Sequence, residues 1–257
     1  MRFLIRLTIL SVVAAGAAGA QTPSEDLHAP WDRLLAAYVE PGPDGVNRVD
    51  YAAWREDEAD RSALERYIEA LESQPVSDFP PDAAYAFWAN LYNAVTVRLI
   101  LDEAPERSIR QIRPHLFAIG PWGVDRVTVE GEDLSLDDIE HGIMRERFEP
   151  ALVHYAVNCA SIGCPNLKRT AWRADGLDAA LEQAAREYVN HPRGVTVTED
   201  GLVVSRIYKW YREDFGGSED GVIDHLSSYA EPGLAAQIRA NPDISGHAYD
   251  WSLNRPD

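Results

Sequence analysis

Residues 82–101 read as one helix that is apolar on every side. Ala83, Ala84, Ala86, Phe87, Trp88, Leu91, Tyr92, Val95, Val97 and Leu99 leave it no continuous polar face. Such a helix has to be surrounded, either by protein or by lipid. Asn90, Asn93 and Arg98 argue against lipid, because amides and charges are costly inside a bilayer. The stretch is therefore read as the central helix of the core. It opens after Pro80-Pro81, and proline is tolerated in the first turn of a helix.

Short helices and hairpins are expected around it. Helices are read at 31–38, 61–72, 135–148, 177–190, 220–229 and 233–239. The 31–38 helix is ended by the turn cluster Pro41-Gly42-Pro43-Asp44-Gly45, and 46–51 reads as extended. Hairpins are read at 124–129 with 133–136, turning at Glu130-Gly131, and at 195–198 with 202–205. The second turns at Asp200-Gly201, a dipeptide suited to a type I′ turn. Ser135 with Asp138 three residues on has the pattern of a capping box. Residues 152–159 alternate as a strand would, and 249–253 read as extended. Helices and antiparallel hairpins are segregated, so the fold class is α+β: a helical protein with small antiparallel sheets around a buried central helix.

Arg2 and Arg6, an apolar run at 7–15 and Ala18-Gly19-Ala20 before Gln21 have the layout of an export leader. The apolar run is too short to span a bilayer comfortably. Residues 21–257 are then expected to form a single domain in the periplasm or outside the cell. The formal net charge of −18 argues against nucleic acid and anionic membrane surfaces as partners. It favours a cationic or neutral ligand, either a small molecule or a peptide. No acidic run has calcium-loop spacing, and no CxxC or HxxxH pair offers zinc a site, so no metal or cofactor is implied. Two cysteines are too few for a disulfide scaffold, so the fold must rely on its core.

The chemistry concentrates in residues 154–165, His-Tyr-Ala-Val-Asn-Cys-Ala-Ser-Ile-Gly-Cys-Pro, which hold both cysteines. On a strand, His154 and Asn158 would share a face, and a small-residue loop would deliver Cys164. Glu140 sits in an apolar stripe with Leu136, Met144 and Phe148, so it needs a partner, and His154 is the best candidate. His141, among Asp137, Asp138 and Arg145, looks more solvent-facing. Two readings follow. In one, Cys164 is a nucleophile deprotonated by His154 and oriented through Glu140, acting on an amide or thioester as a hydrolase or acyltransferase. In the other, Cys159 and Cys164 close a disulfide in a non-catalytic module that binds a peptide or small ligand. Asn90 and Asn93, three apart on one helix face, either orient a substrate or pin a loop to the core. Tyr208, Lys209, Trp210 and Tyr211 either line a cleft or belong to the core.

Five segments in order give the chain a family resemblance. They are Phe87-Trp88-Ala89-Asn90-Leu91-Tyr92-Asn93-Ala94, the run 136–143, the run 154–165, Lys209-Trp210-Tyr211 and the run 249–254. From about residue 75 to its C-terminus the chain resembles the family catalogued as domain of unknown function 547. The resemblance implies kinship with papain-like and transglutaminase-like folds. It therefore implies a cysteine–histidine–acid site of Cys164, His154 and Glu140, supported by Asn90. Two departures stand out: Ala89 replaces the family's usual isoleucine, and Ile162 stands where a basic or polar residue is common.

Overall fold

The computed structural model describes residues 25–114 and 120–256, and the expected leader at 1–20 lies outside them. The elements run α1 (Ala29–Tyr38), β1 (Val39–Pro41), β2 (Asn47–Val49), α2 (Tyr51–Glu56), α3 (Glu58–Glu72) and α4 (Pro81–Glu103). Then come β3 (Val127–Val129), β4 (Glu132–Leu134), a π-helix (Asp138–Met144), α5 (Arg145–Arg147), α6 (Pro150–Ala156) and α7 (Leu177–Val189). The remainder is β5 (Val195–Thr198), β6 (Gly201–Ser205), α8 (Ile207–Trp210), α9 (Glu219–Tyr229), α10 (Pro232–Ala240) and β7 (Ile244–Ala248). Helices dominate and the strands form small separate sheets, an α+β fold.

The central helix is α4. It starts on Pro81 and ends where Ala104 takes a left-handed conformation (φ 46°) just before Pro105. Residues around its whole circumference are buried, from Phe87 and Trp88 to Leu99 and Leu101. Helices α1 to α3 pack with it in one hydrophobic core. Tyr38 stacks on Trp54 at 4.6 Å and Trp31 on Tyr67 at 5.7 Å. Among the described residues, no helix is long and apolar enough to cross a membrane.

The 41–45 turn cluster becomes the loop of the β1–β2 hairpin. In the β3–β4 hairpin both turn residues have positive φ, Glu130 at 51° and Gly131 at 85°, which is the type I′ geometry. The β5–β6 hairpin differs from expectation. Of Asp200 and Gly201 only Gly201 has positive φ (124°), and it already pairs with Thr198, so the turn is not type I′. A further correction concerns β7, which joins β6 in parallel, so the three-stranded sheet is mixed rather than antiparallel. This sheet packs with α7, α9 and α10 in a second hydrophobic core around Tyr155, Tyr188, Tyr208 and Phe215.

The strand expected at 152–159 is a helix, α6, followed by extended residues from Val157. Pro150 supplies its first helical position. Ala151, Val153, His154, Tyr155 and Ala156 are all buried, because α6 is wedged between the two cores. A short apolar run buried on all sides does not reveal its period, and alternation was coincidental here.

Candidate functional site

The loop after α6 is held by amides. Asn93 Nδ2 donates to the Ala156 carbonyl (2.9 Å), and its Oδ1 accepts from Asn158 N–H (2.8 Å). Asn158 in turn donates to the Pro165 carbonyl and accepts from Ala160 N–H, tying both ends of the 158–165 loop together. Asn90 does the same for Trp172, whose N–H and C=O both pair with it. Asn90, Asn93 and Asn158 are thus placed away from the cavity below. Their polar atoms are used on backbone that would otherwise be buried unpaired.

The cavity, of about 220 Å³, lies where the two cores meet. Its floor carries Tyr92, Glu140 and His154, one wall carries Cys159 and Cys164, and Trp122, Trp210, Tyr211, Tyr249 and Trp251 form the rest with Asp137, His141, Val157, Pro165 and Ile207. The structure therefore brings Glu140, His154, Cys164 and Trp210 to one place. Lys209 is exposed outside it, and Tyr208 is in the second core.

Glu140 reaches the floor because the segment 138–144 is a π-helix, in which Arg145 N–H closes on the Glu140 carbonyl. Such widened turns recur at functional sites. The expected capping pair precedes it, with the Ser135 hydroxyl on Asp138 N–H at 3.1 Å and Asp138 Oδ2 on Ser135 N–H at 2.9 Å. Glu140 Oε1 lies 3.5 Å from His154 Nδ1. On the other side, His154 Nε2 meets Asp214 Oδ2 at 2.6 Å. Arg145 grips the same carboxylate with two bonds, 2.6 Å from Nε and 2.7 Å from Nη2. The imidazole also stacks on Tyr211 at 4.2 Å, and the Arg145 guanidinium sits 5.2 Å from that ring.

Both ring nitrogens of His154 thus face carboxylates. Burial would lower its pKa, but the Asp214 and Glu140 carboxylates hold it above the ordinary histidine value. Burial likewise would raise Glu140, yet hydrogen bonding and charge from His154 keep its carboxyl below its usual range. For Asp214 the same opposition, His154 and Arg145 against burial, leaves the carboxyl well below the usual range. The arrangement is a buried imidazole between two carboxylates that favour its protonated form, and both ring nitrogens are engaged by them.

Cys159 and Cys164 are bonded to each other, their Cα atoms 6.3 Å apart, so neither sulfur is a thiol here. The tail after β7 closes over them. Gly163 N–H donates to the Asp250 carbonyl and Ile162 N–H to that of Ser252, both at 2.8 Å. A Cβ on Gly163 would lie 2.9 Å from the Asp250 backbone and the Tyr249 ring. Gly163→Ala is expected to push this tail off the loop at a cost of about 1–3 kcal/mol, read as a lowered thermal midpoint with weakened packing of the cavity tryptophans.

Residues 76–189 match the model of the family described as Protein of unknown function, DUF547. This stretch is similar to that family. It holds α4, Glu140, His154 and both cysteines. Asp214, Arg145's partner and the second carboxylate on His154, lies beyond the DUF547 match, as do Trp210, Tyr211, Tyr249 and Trp251. No curated protein and no solved structure matches the chain. Sequence reasoning missed Asp214 as the histidine's partner, along with Arg145 and Trp122. The signal for Asp214 was present, a carboxylate between Tyr211 and Phe215, but nothing local says which of many acids turns inward.

Proposed function

We propose that the cavity binds a small organic cation with an apolar or aromatic body, free or as the basic end of a peptide. One observation carries this reading: six aromatic side chains line a small concavity that also carries the carboxylates of Asp137 and Glu140, while the groups that could do covalent chemistry are engaged elsewhere. Aromatic faces attract cations, and a pocket of this size suits a ligand smaller than most drugs. The acidic charge of the whole chain raises the local concentration of cations. Export through a leader at residues 1–20 belongs to the same reading, since a disulfide persists outside a reducing cytosol.

The test is a tryptophan-fluorescence titration of the purified protein with phenethylammonium, its neutral analogue phenylethanol, and benzoate. Saturable binding is expected in that order of affinity, with Trp251→Leu weakening the cation by about tenfold. Equal or tighter binding of benzoate, or no saturation by any of the three, would overturn the proposal.

A cysteine hydrolase or acyltransferase is the second reading, favoured by the presence of Glu140, His154 and Cys164 on one cavity. It requires Cys164 as a free thiol and a His154 nitrogen released from its carboxylate. Two free thiols in oxidised material, one alkylated rapidly by iodoacetamide at neutral pH, would favour it over the binding reading.

A further inference from the structure

We propose that the Cys159–Cys164 disulfide is a thiol–disulfide exchange site, opened by an external dithiol that attacks Cys159 and expels Cys164 as a thiolate. This does not depend on the identity of the cavity's ligand.

The bond faces the cavity rather than a hydrophobic core. Cys159 is half-buried and reachable, whereas Cys164 is only 5 % exposed. Cys164 Sγ accepts from the Cys159 N–H at 3.0 Å and has the Tyr249 hydroxyl at 3.1 Å. That hydroxyl is also 3.1 Å from Cys159 Sγ, and the Ser161 hydroxyl is 3.3 Å from the same sulfur. The backbone N–H and the deeper burial therefore single out Cys164 as the leaving sulfur. The Ser161 hydroxyl stands 2.9 Å from the phenolic oxygen, and when it donates there the Tyr249 proton is left for sulfur. Burial raises the Tyr249 phenol well above its ordinary value, so the phenol keeps its proton and stays a donor. A sulfur that leaves as an anion leaves faster when its charge is met by hydrogen bonds, so the incoming thiolate is directed to Cys159.

The fold around the bond does not need it. The loop is held by Asn158, by Cys164 N–H on the Ser161 carbonyl, and by the tail bonds of Ile162 and Gly163. The two cysteines are five residues apart, and a short closed loop restrains the unfolded chain least. Ala160, inside the loop, is held in the left-handed region (φ 58°), a conformation costly for alanine that an opened loop can relax.

The step balances as follows. A thiolate of the dithiol bonds to Cys159 Sγ, and the S–S electron pair passes to Cys164 Sγ. The second thiol of the dithiol loses its proton and attacks the external sulfur of the mixed disulfide, releasing Cys159 as a thiolate. Two protons return to the cysteines at equilibrium. The dithiol is oxidised to a disulfide by two electrons, and the protein disulfide is reduced by two.

The test equilibrates the full-length protein in glutathione buffers of increasing reduced fraction, then quenches with acid, alkylates and counts thiols by mass. A reversible two-thiol transition within the range of those buffers, with unchanged circular dichroism, is expected. Cys164→Ser should trap glutathione on Cys159 faster than Cys159→Ser traps it on Cys164. Tyr249→Phe should slow reduction of the wild-type pair by about tenfold, the loss of one hydrogen bond to a charged group. In the Cys159→Ser background it should also move the pH midpoint for alkylation of Cys164 upward. A bond that opens only in denaturant, a reversed order of trapping, or two thiols that fail to pair in oxidised glutathione would each overturn the proposal.

Discussion

His154→Ala is expected to lower the unfolding free energy by about 3–5 kcal/mol, the range for removing one partner of a buried ion pair. The imidazole side chain is 2 % exposed, and its removal leaves Glu140 and Asp214, 10 % and 8 % exposed, facing an empty space. Asp214 keeps Arg145, so most of the loss falls on Glu140, whose other neighbours are Tyr92 and the half-exposed His141. Urea titration at neutral pH measures the effect. Adding Glu140→Gln to His154→Ala should recover part of it, because the stranded charge is gone. A double variant weaker than the single would show that lost packing against Tyr211, not the unpaired carboxylate, sets the cost.

The second large effect is on the pH dependence of stability. His28 is buried against the Tyr67 hydroxyl at 2.8 Å, and His225 against that of Tyr155 at 2.7 Å. Burial first, then the nearby charge of Arg173 or His154, pushes both imidazoles down to about 4. Below pH 6.5 the unfolded chain takes up protons at these positions while the folded chain does not. Stability therefore falls as the pH drops from 6.5 towards 4, by about 3 kcal/mol for His28 and less for the more exposed His225. His154 acts with the opposite sign. Its raised folded value gives a stabilisation that is complete below pH 6.5 and is lost as the pH rises through that value. Glu140 and Asp214, both lowered, contribute above the ordinary carboxylate range and lose their contribution as the pH falls through their folded values. A stability maximum near neutrality is expected from urea titrations across pH 4–9, with the acid limb shallower in His28→Gln. An acid limb unchanged by that substitution would remove His28 from the explanation.

The parts of this fold that were legible in the sequence are those decided by local chemistry. An all-round apolar helix after two prolines, the β3–β4 hairpin with its Glu130-Gly131 turn and a reciprocal serine–aspartate cap are each dictated within a few residues. The β5–β6 strands were legible too, but not their turn. Glu140 was legible for the same reason, since a carboxylate in an apolar stripe demands a partner, and His154 stands 3.5 Å from it. The helical character of 150–156 was not legible, because residues packed between two cores lose the one-sided burial that reveals period. Nor was the cavity. Its walls come from α4, the π-helix, the cysteine loop, α8 and the tail, and only the tertiary fold brings them together. The amides of Asn90 and Asn93 carried the same sequence signal as a binding pair, but they are used on the backbone of Trp172 and of the cysteine loop, and neither lines the cavity.

The tail at 249–254 also bears on how the molecule is made. Leu253 N–H bonds to the Arg107 carbonyl, Asn254 N–H to that of Ala160, and the Asn254 carbonyl receives Val49 N–H while its side chain meets the Tyr51 hydroxyl. Six residues thus fasten the N-terminal hairpin, the segment after α4 and the cysteine loop to one another. On a ribosome the chain emerges in the reverse of the order this needs, and the strap arrives after everything it fastens. Until it does, both sulfurs face solvent without Tyr249 or Trp251 over them. The cysteines therefore pass through an interval in which any thiol or oxidant in the surroundings reaches them unhindered, and the bond can first close before the cavity exists.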